Sequence, residues 1–92
     1  MNDQQPGEPT RQEQEDYLVQ VCDALGLDRD LLDVDLVLEL TKQVAHRFVR
    51  PMAPVTSYAL GIAVGAAAAA GAKPDQHDLA ARVTALLPTE SA

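Results

Sequence analysis

His46-Arg47-Phe48-Val49-Arg50-Pro51-Met52-Ala53-Pro54-Val55-Thr56-Ser57 is the stretch on which the fold turns. Two prolines break what would otherwise read as one long helical pattern. Pro51 disfavours helical geometry at Arg50. Pro54 has no N–H to give to a continuing helix, yet it fits the first turn of a new one. Before the break the sequence is charged and periodic; after it, Met52 to Ala72 carries no charge. The pattern predicts two helices joined by a hinge.

The helix before the hinge has Leu36, Val37, Leu40, Val44, Ala45 and Phe48 at helical spacing, with Glu39, Lys42, Gln43, His46 and Arg50 on the opposite face. Asp33 or Asp35 is its expected N-cap. Acids at its start and bases at its end suit the helix macrodipole. The helix after the hinge runs to about Ala70 or Gly71, where the glycine stops it. Gly61 and Gly65 lie four apart and share a face. In a soluble bundle this predicts close approach of another helix, so that Gly65→Leu would overpack the core at a cost of about 1–3 kcal/mol.

Two more helices follow from the flanks. Thr10-Arg11-Gln12-Glu13 reads as a capping box. It opens a helix from about Arg11 to Leu25, with Tyr17, Leu18, Val21, Cys22 and Leu25 on one face and Gly26 as the residue that ends it. Asp28 to Asp35 is an acidic linker with room for one helical turn. Asp75 caps a last helix, with Leu79, Val83, Leu86 and Leu87 facing inward and Pro88 stopping it. The expectation is an all-α, small four-helix bundle with short loops, spanning 10–88 as a single helical domain. Residues 1–9, polar and with two prolines, read as a disordered arm, and 89–92 as a loose tail.

Composition narrows the function classes. Ninety-two residues make one domain at most, and with two Tyr, one Phe and no Trp its core must come from Leu, Val and Ala. The net charge of −7 argues against unspecific attraction to nucleic acid or to an anionic membrane. That charge is uneven. Residues 1–39 have only Arg11 and Arg29 as bases, whereas from Leu40 onward Lys42, Arg47, Arg50, Lys73 and Arg82 outnumber Asp75, Asp78 and Glu90. The single cysteine, Cys22, allows no intrachain disulfide and fits a reducing, cytoplasmic setting. The N-terminus has neither the basic nor the apolar region of a secretory signal. Met52 to Ala72 is long enough to span a bilayer, but alanine and glycine give little transfer energy. A helix buried in a bundle is the expectation, and no membrane partner is expected.

No arrangement of residues amounts to a catalytic site, and none points to a cofactor. His46 and His77 have no second ligand at metal spacing, and Asp28, Asp30 and Asp33 lack the glycine and bidentate glutamate of a calcium loop. Cys22 reads as a small core residue. The hinge alone gathers polar groups: His46 and Arg50, one helical turn apart, and the hydroxyls of Thr56 and Ser57 near a helix N-terminus. These four either form a solvated helix end or bind something. In the second case a carboxylate or phosphate would be held by the Arg50 fork, the hydroxyls and free backbone N–H groups.

Leu25-Gly26-Leu27-Asp28, Val34-Asp35, Val44-Ala45-His46, the Arg50–Ser57 stretch and Ala80-Ala81-Arg82-Val83 together resemble a short helical domain of unknown function found in actinobacteria. That domain occurs alone or joined to the C-terminal side of nucleotidyltransferases resembling molybdenum-cofactor guanylyltransferase. The Arg-Pro-x-Ala-Pro-Val-Thr hinge is the most distinctive part of the resemblance, which covers about residues 14–87. No Gly-rich nucleotide-binding segment is present, so no catalytic residue carries over. The resemblance implies a non-enzymatic accessory module associated with molybdenum-cofactor maturation or molybdoenzyme assembly. Its partner would be a nucleotidyltransferase or a molybdoenzyme-related protein. The alternatives are a domain that binds a small anionic ligand at the hinge and a structural homodimer formed through the Gly61/Gly65 face.

Overall fold

The computed structural model describes residues 8–89. It is all-α: four α-helices and one 3-10 turn, with no strand among the described residues. The helices are α1 (Arg11–Leu25), α2 (Val34–Arg47), α3 (Met52–Ala69) and α4 (Gln76–Thr84), and the 3-10 turn is Arg29–Leu31. The chain divides into two compact units, Met1–Asp33 and Val34–Ala92. Most of the expected arm and tail, residues 1–7 and 90–92, lies outside the described residues.

The first unit is ordered by local chemistry. The Thr10 hydroxyl accepts from the Glu13 N–H at 3.1 Å, and the Thr10 N–H donates to Glu13 Oε1 at 2.8 Å, completing the capping box. At the other end Gly26 takes a left-handed conformation, φ 69°. This lets the Gly26 N–H reach the Asp23 carbonyl and the Leu27 N–H reach that of Cys22, a Schellman closure. Arg29 then reaches back to α1. Its Nε and Nη2 donate to both oxygens of Glu15 at 2.7 and 2.8 Å, while Nη1 donates to the Leu32 carbonyl. The Arg29 hydrogen bonds hold the Glu15 carboxyl below its ordinary pKa. Reciprocally, the Arg29 guanidinium is held above its own. Cys22 is buried, as its place on the apolar stripe predicts, but Tyr17 and Leu25 of the same stripe are exposed.

The second unit has a conventional core. Leu40 and Val44 of α2, Ala53 and Leu60 of α3, and Ala80 of α4 form one buried cluster, with Leu36, Val64, Leu79, Val83 and Leu87 packed against it. Asp33 directly precedes α2, and Asp35 lies in its first turn. Asp75 caps α4 by accepting from the His77 and Asp78 N–H groups. Gly71, at φ 89°, closes α3 as Gly26 closes α1, with the Gly71 N–H on the Ala68 carbonyl and that of Ala72 on the Ala67 carbonyl.

Three expectations need correcting. Phe48 and Leu86 are exposed, because α2 stops at Arg47 and α4 at Thr84, so both residues sit beyond the helix whose stripe they would have extended. The Gly61/Gly65 face does not admit a neighbouring helix within this fold. Both glycines are exposed, and a Cβ built on either meets no atom within 4 Å. Nor is α3 a buried helix: only Ala53 and Leu60 among its 18 residues are buried.

Candidate interaction site

The four hinge residues do not present one common surface. His46 is exposed in the last turn of α2, and Arg50 is exposed in the turn between α2 and α3. Thr56 and Ser57 are half-buried one turn into α3. Thr56 lines a groove of about 370 Å³ between α3 and α4, together with Val55, Leu60, Leu79, Val83 and Arg82. The Ser57 hydroxyl is shielded from solvent and has no hydrogen-bond partner among the described residues. A ligand at the surface can reach Arg50 and His46 but not Ser57 Oγ.

The backbone at this hinge is also occupied. The chain leaves α2 in a tight turn, in which the Met52 N–H donates to the Val49 carbonyl at 3.1 Å and the Ala53 N–H to the Arg50 carbonyl at 3.0 Å. Pro51, at the N-cap, and Pro54 have no N–H, and no side chain caps the helix. A helix N-terminus binds anions through free N–H groups. Here the first turn has none to spare, so the backbone contribution to an anion site is missing.

Arg47, which precedes the hinge, has a role that the sequence pattern did not reveal. Its guanidinium extends to the C-terminal end of α4. Nε donates to the Pro88 carbonyl at 2.9 Å, Nη2 lies 3.3 Å from the Leu87 carbonyl and 3.5 Å from that of Thr84, and Nη1 meets Gln43 Oε1 at 3.3 Å. The first contact is strong and the others are longer. Only the Thr84 carbonyl, the longest of these contacts, belongs to the last turn of α4; the Leu87 and Pro88 carbonyls lie in the chain beyond it. Arg47 therefore ties α2 to the chain after α4 and is committed to structure. No local signal reports this, since the partners lie about forty residues downstream.

The feature best suited to recognition is the outward side of α3. Along its inward side run Ala53, Ser57, Leu60 and Val64, which with Thr56 and Ala67 are the buried or half-buried positions of the helix. Opposite them, at the same helical spacing, run Val55, Tyr58, Ile62, Gly65 and Ala69, all exposed. Val55 is 54% exposed, Tyr58 74% and Ile62 57%. A helix apolar all round normally belongs in a core or a membrane. By length and composition α3 alone among the described helices could cross a bilayer, and here one of its two apolar sides is open. The sequence signal was present in the absence of polar periodicity between Met52 and Ala72, which we read as burial.

Among the described residues no group of three His, Cys, Asp or Glu side chains is arranged to hold a metal ion. No curated protein and no solved structure matches the chain. Residues 9–92 match a family model described as a domain of unknown function, DUF6457, and the chain belongs to that family.

Proposed function

We propose that this domain is a non-enzymatic helical accessory module that binds a protein partner through the outward face of α3. The supporting observation is that face itself: three large apolar side chains and a run of small ones, exposed on a helix whose opposite side already packs the core. Contiguous exposed apolar surface marks interaction sites in soluble proteins. The hinge sequence supplies the context. Its resemblance to the domain joined to nucleotidyltransferases supports a partner in molybdenum-cofactor maturation or molybdoenzyme assembly, in a cytoplasmic setting.

Affinity capture with the intact chain and with Ile62→Asp, followed by mass spectrometry, tests this. A nucleotidyltransferase or molybdoenzyme component retained by the first and lost with the second is the expected result. Identical captures would remove the α3 face from consideration. A second reading, a homodimer through the same face, is favoured by the open space at Gly61 and Gly65. Sedimentation velocity separates the two: a concentration-dependent dimer abolished by Ile62→Asp supports the homodimer.

A further inference from the structure

We propose that the outward face of α3 receives an apolar helix carrying carboxylates at both ends, presented by the partner protein. The inference rests on the interaction reading above and adds the chemistry of the partner.

The argument begins with charge. Between Arg50 and Lys73 there is no Asp, Glu, Lys, Arg or His. Both bounding residues are exposed, and neither side chain makes a hydrogen bond or ion pair among the described residues. The other bases of this unit are placed differently. Arg47 is held by carbonyl groups, Arg82 pairs with Asp78 at 3.0 Å, and Lys42 belongs to α2. Two unpartnered cations thus stand beyond the two ends of an uncharged helix about 27 Å long. An occupant that lies along α3 has only uncharged residues beneath it, with Arg50 in the connection before the helix and Lys73 in the connection after it.

Geometry favours a helix as that occupant. Twelve of the eighteen residues of α3 are exposed, the large Val55, Tyr58 and Ile62 at helical spacing among them, and the second half of the face is formed by Gly65, Ala66 and Ala69. Small residues with open space above them let another helix backbone approach closely. The same small residues would insert weakly into a lipid surface, and a chain of net charge −7 is repelled by anionic lipid. A single helix face is smaller than the roughly 800 Å² per partner of a standard stable interface, so the complex belongs to the transient class. In such a complex the end charges govern association rate and salt dependence.

The test uses two synthetic helical peptides of about 20 residues, matched to the length of α3. Both carry the same Leu/Ala stripe; one has paired Glu at each end and the other paired Lys. Fluorescence anisotropy at low salt should show the Glu-ended peptide binding about fivefold more tightly, with the gap closing at about 0.5 M salt. The double variant Arg50→Glu, Lys73→Glu should invert that ranking, and Ile62→Asp should weaken both peptides by about tenfold. Equal affinity for the two peptides, with loss on Ile62→Asp, overturns the end-charge assignment and leaves the interaction face standing. Binding indifferent to Ile62→Asp overturns both. Failure of both peptides to bind, or stronger association with phosphatidylserine vesicles, overturns the helical partner. Circular dichroism checks each variant, and Tyr58→Ala replaces Ile62→Asp if the latter loses helix.

Discussion

The two compact units of this chain are ordered by different means. Met1–Asp33 contains nine acids and two bases, and so carries the whole net charge of −7. Val34–Ala92 contains five of each and is neutral. The described part of the first unit is organised by a capping box and a glycine closure between near neighbours and by one arginine fork that reaches back fourteen positions to Glu15. The second is organised by an apolar cluster drawn from three helices and by an arginine that reaches across forty-one positions to Pro88. The net negative charge is thus confined to the first unit, while the second, neutral overall, exposes an apolar helix face.

This contrast can be broken experimentally. The largest effect should come from Leu40→Ala, which removes one of the most deeply buried side chains of the second unit. A loss of about 2–5 kcal/mol is expected in a denaturant titration. A loss well below that range would mean that the unit does not depend on its cluster.

Arg47→Ala should come next, at about 1–3 kcal/mol, because the carbonyls at and just beyond the end of α4 lose a charged donor. Arg47→Lys should recover only part of this, since a lysine cannot supply the planar fork. Full recovery would show that charge alone, not the fork, joins α2 to the end of α4.

Gly65→Ala should move stability the other way. A Cβ there meets nothing, and alanine is the better helix former. A gain of about 0.5–1 kcal/mol is expected, opposite in sign to what a buried glycine face would give. A loss would indicate that α3 is covered in solution.

The smallest effect belongs to the first unit and depends on pH. The Arg29 hydrogen bonds lower the Glu15 carboxyl in the folded state; partial burial opposes this, and the Arg29 charge reinforces it. A lowered folded value means that the pair stabilises above the ordinary carboxylate range and that this contribution is lost as pH falls through the folded value. Glu15→Gln should therefore flatten the acid side of the stability profile and leave Leu40→Ala as costly as before. An unchanged acid limb would show that the fork contributes nothing measurable, as many exposed ion pairs do.

Much of the fold was legible in advance because helix ends are local. Thr10 with Glu13, Gly26, Asp75 and Gly71 bound their helices through atoms within five positions of each other, so their chemistry can be read from the chain directly. The hinge between α2 and α3 was legible for the same reason, since proline acts on its own neighbours. The candidate site was less so. Nothing local reveals that the Ser57 hydroxyl is sealed or that Thr56 lines a groove against α4.

The amino-acid sequence by itself determined the four helices, the N-caps of α1 and α4, the glycine closures of α1 and α3 and the uneven distribution of charge, because each depends on residues close in the chain. Only the tertiary structure decided which side of each helix is covered. For α3 the apolar residues surround the whole helix, so periodicity cannot choose a face. That choice falls to the partners: Leu40 and Val44 of α2 and Ala80 of α4 cluster with Ala53 and Leu60, leaving Val55, Tyr58 and Ile62 in solvent. The same holds for Arg47, whose charge suits any helix end but whose partners exist only once α4 has been brought alongside α2.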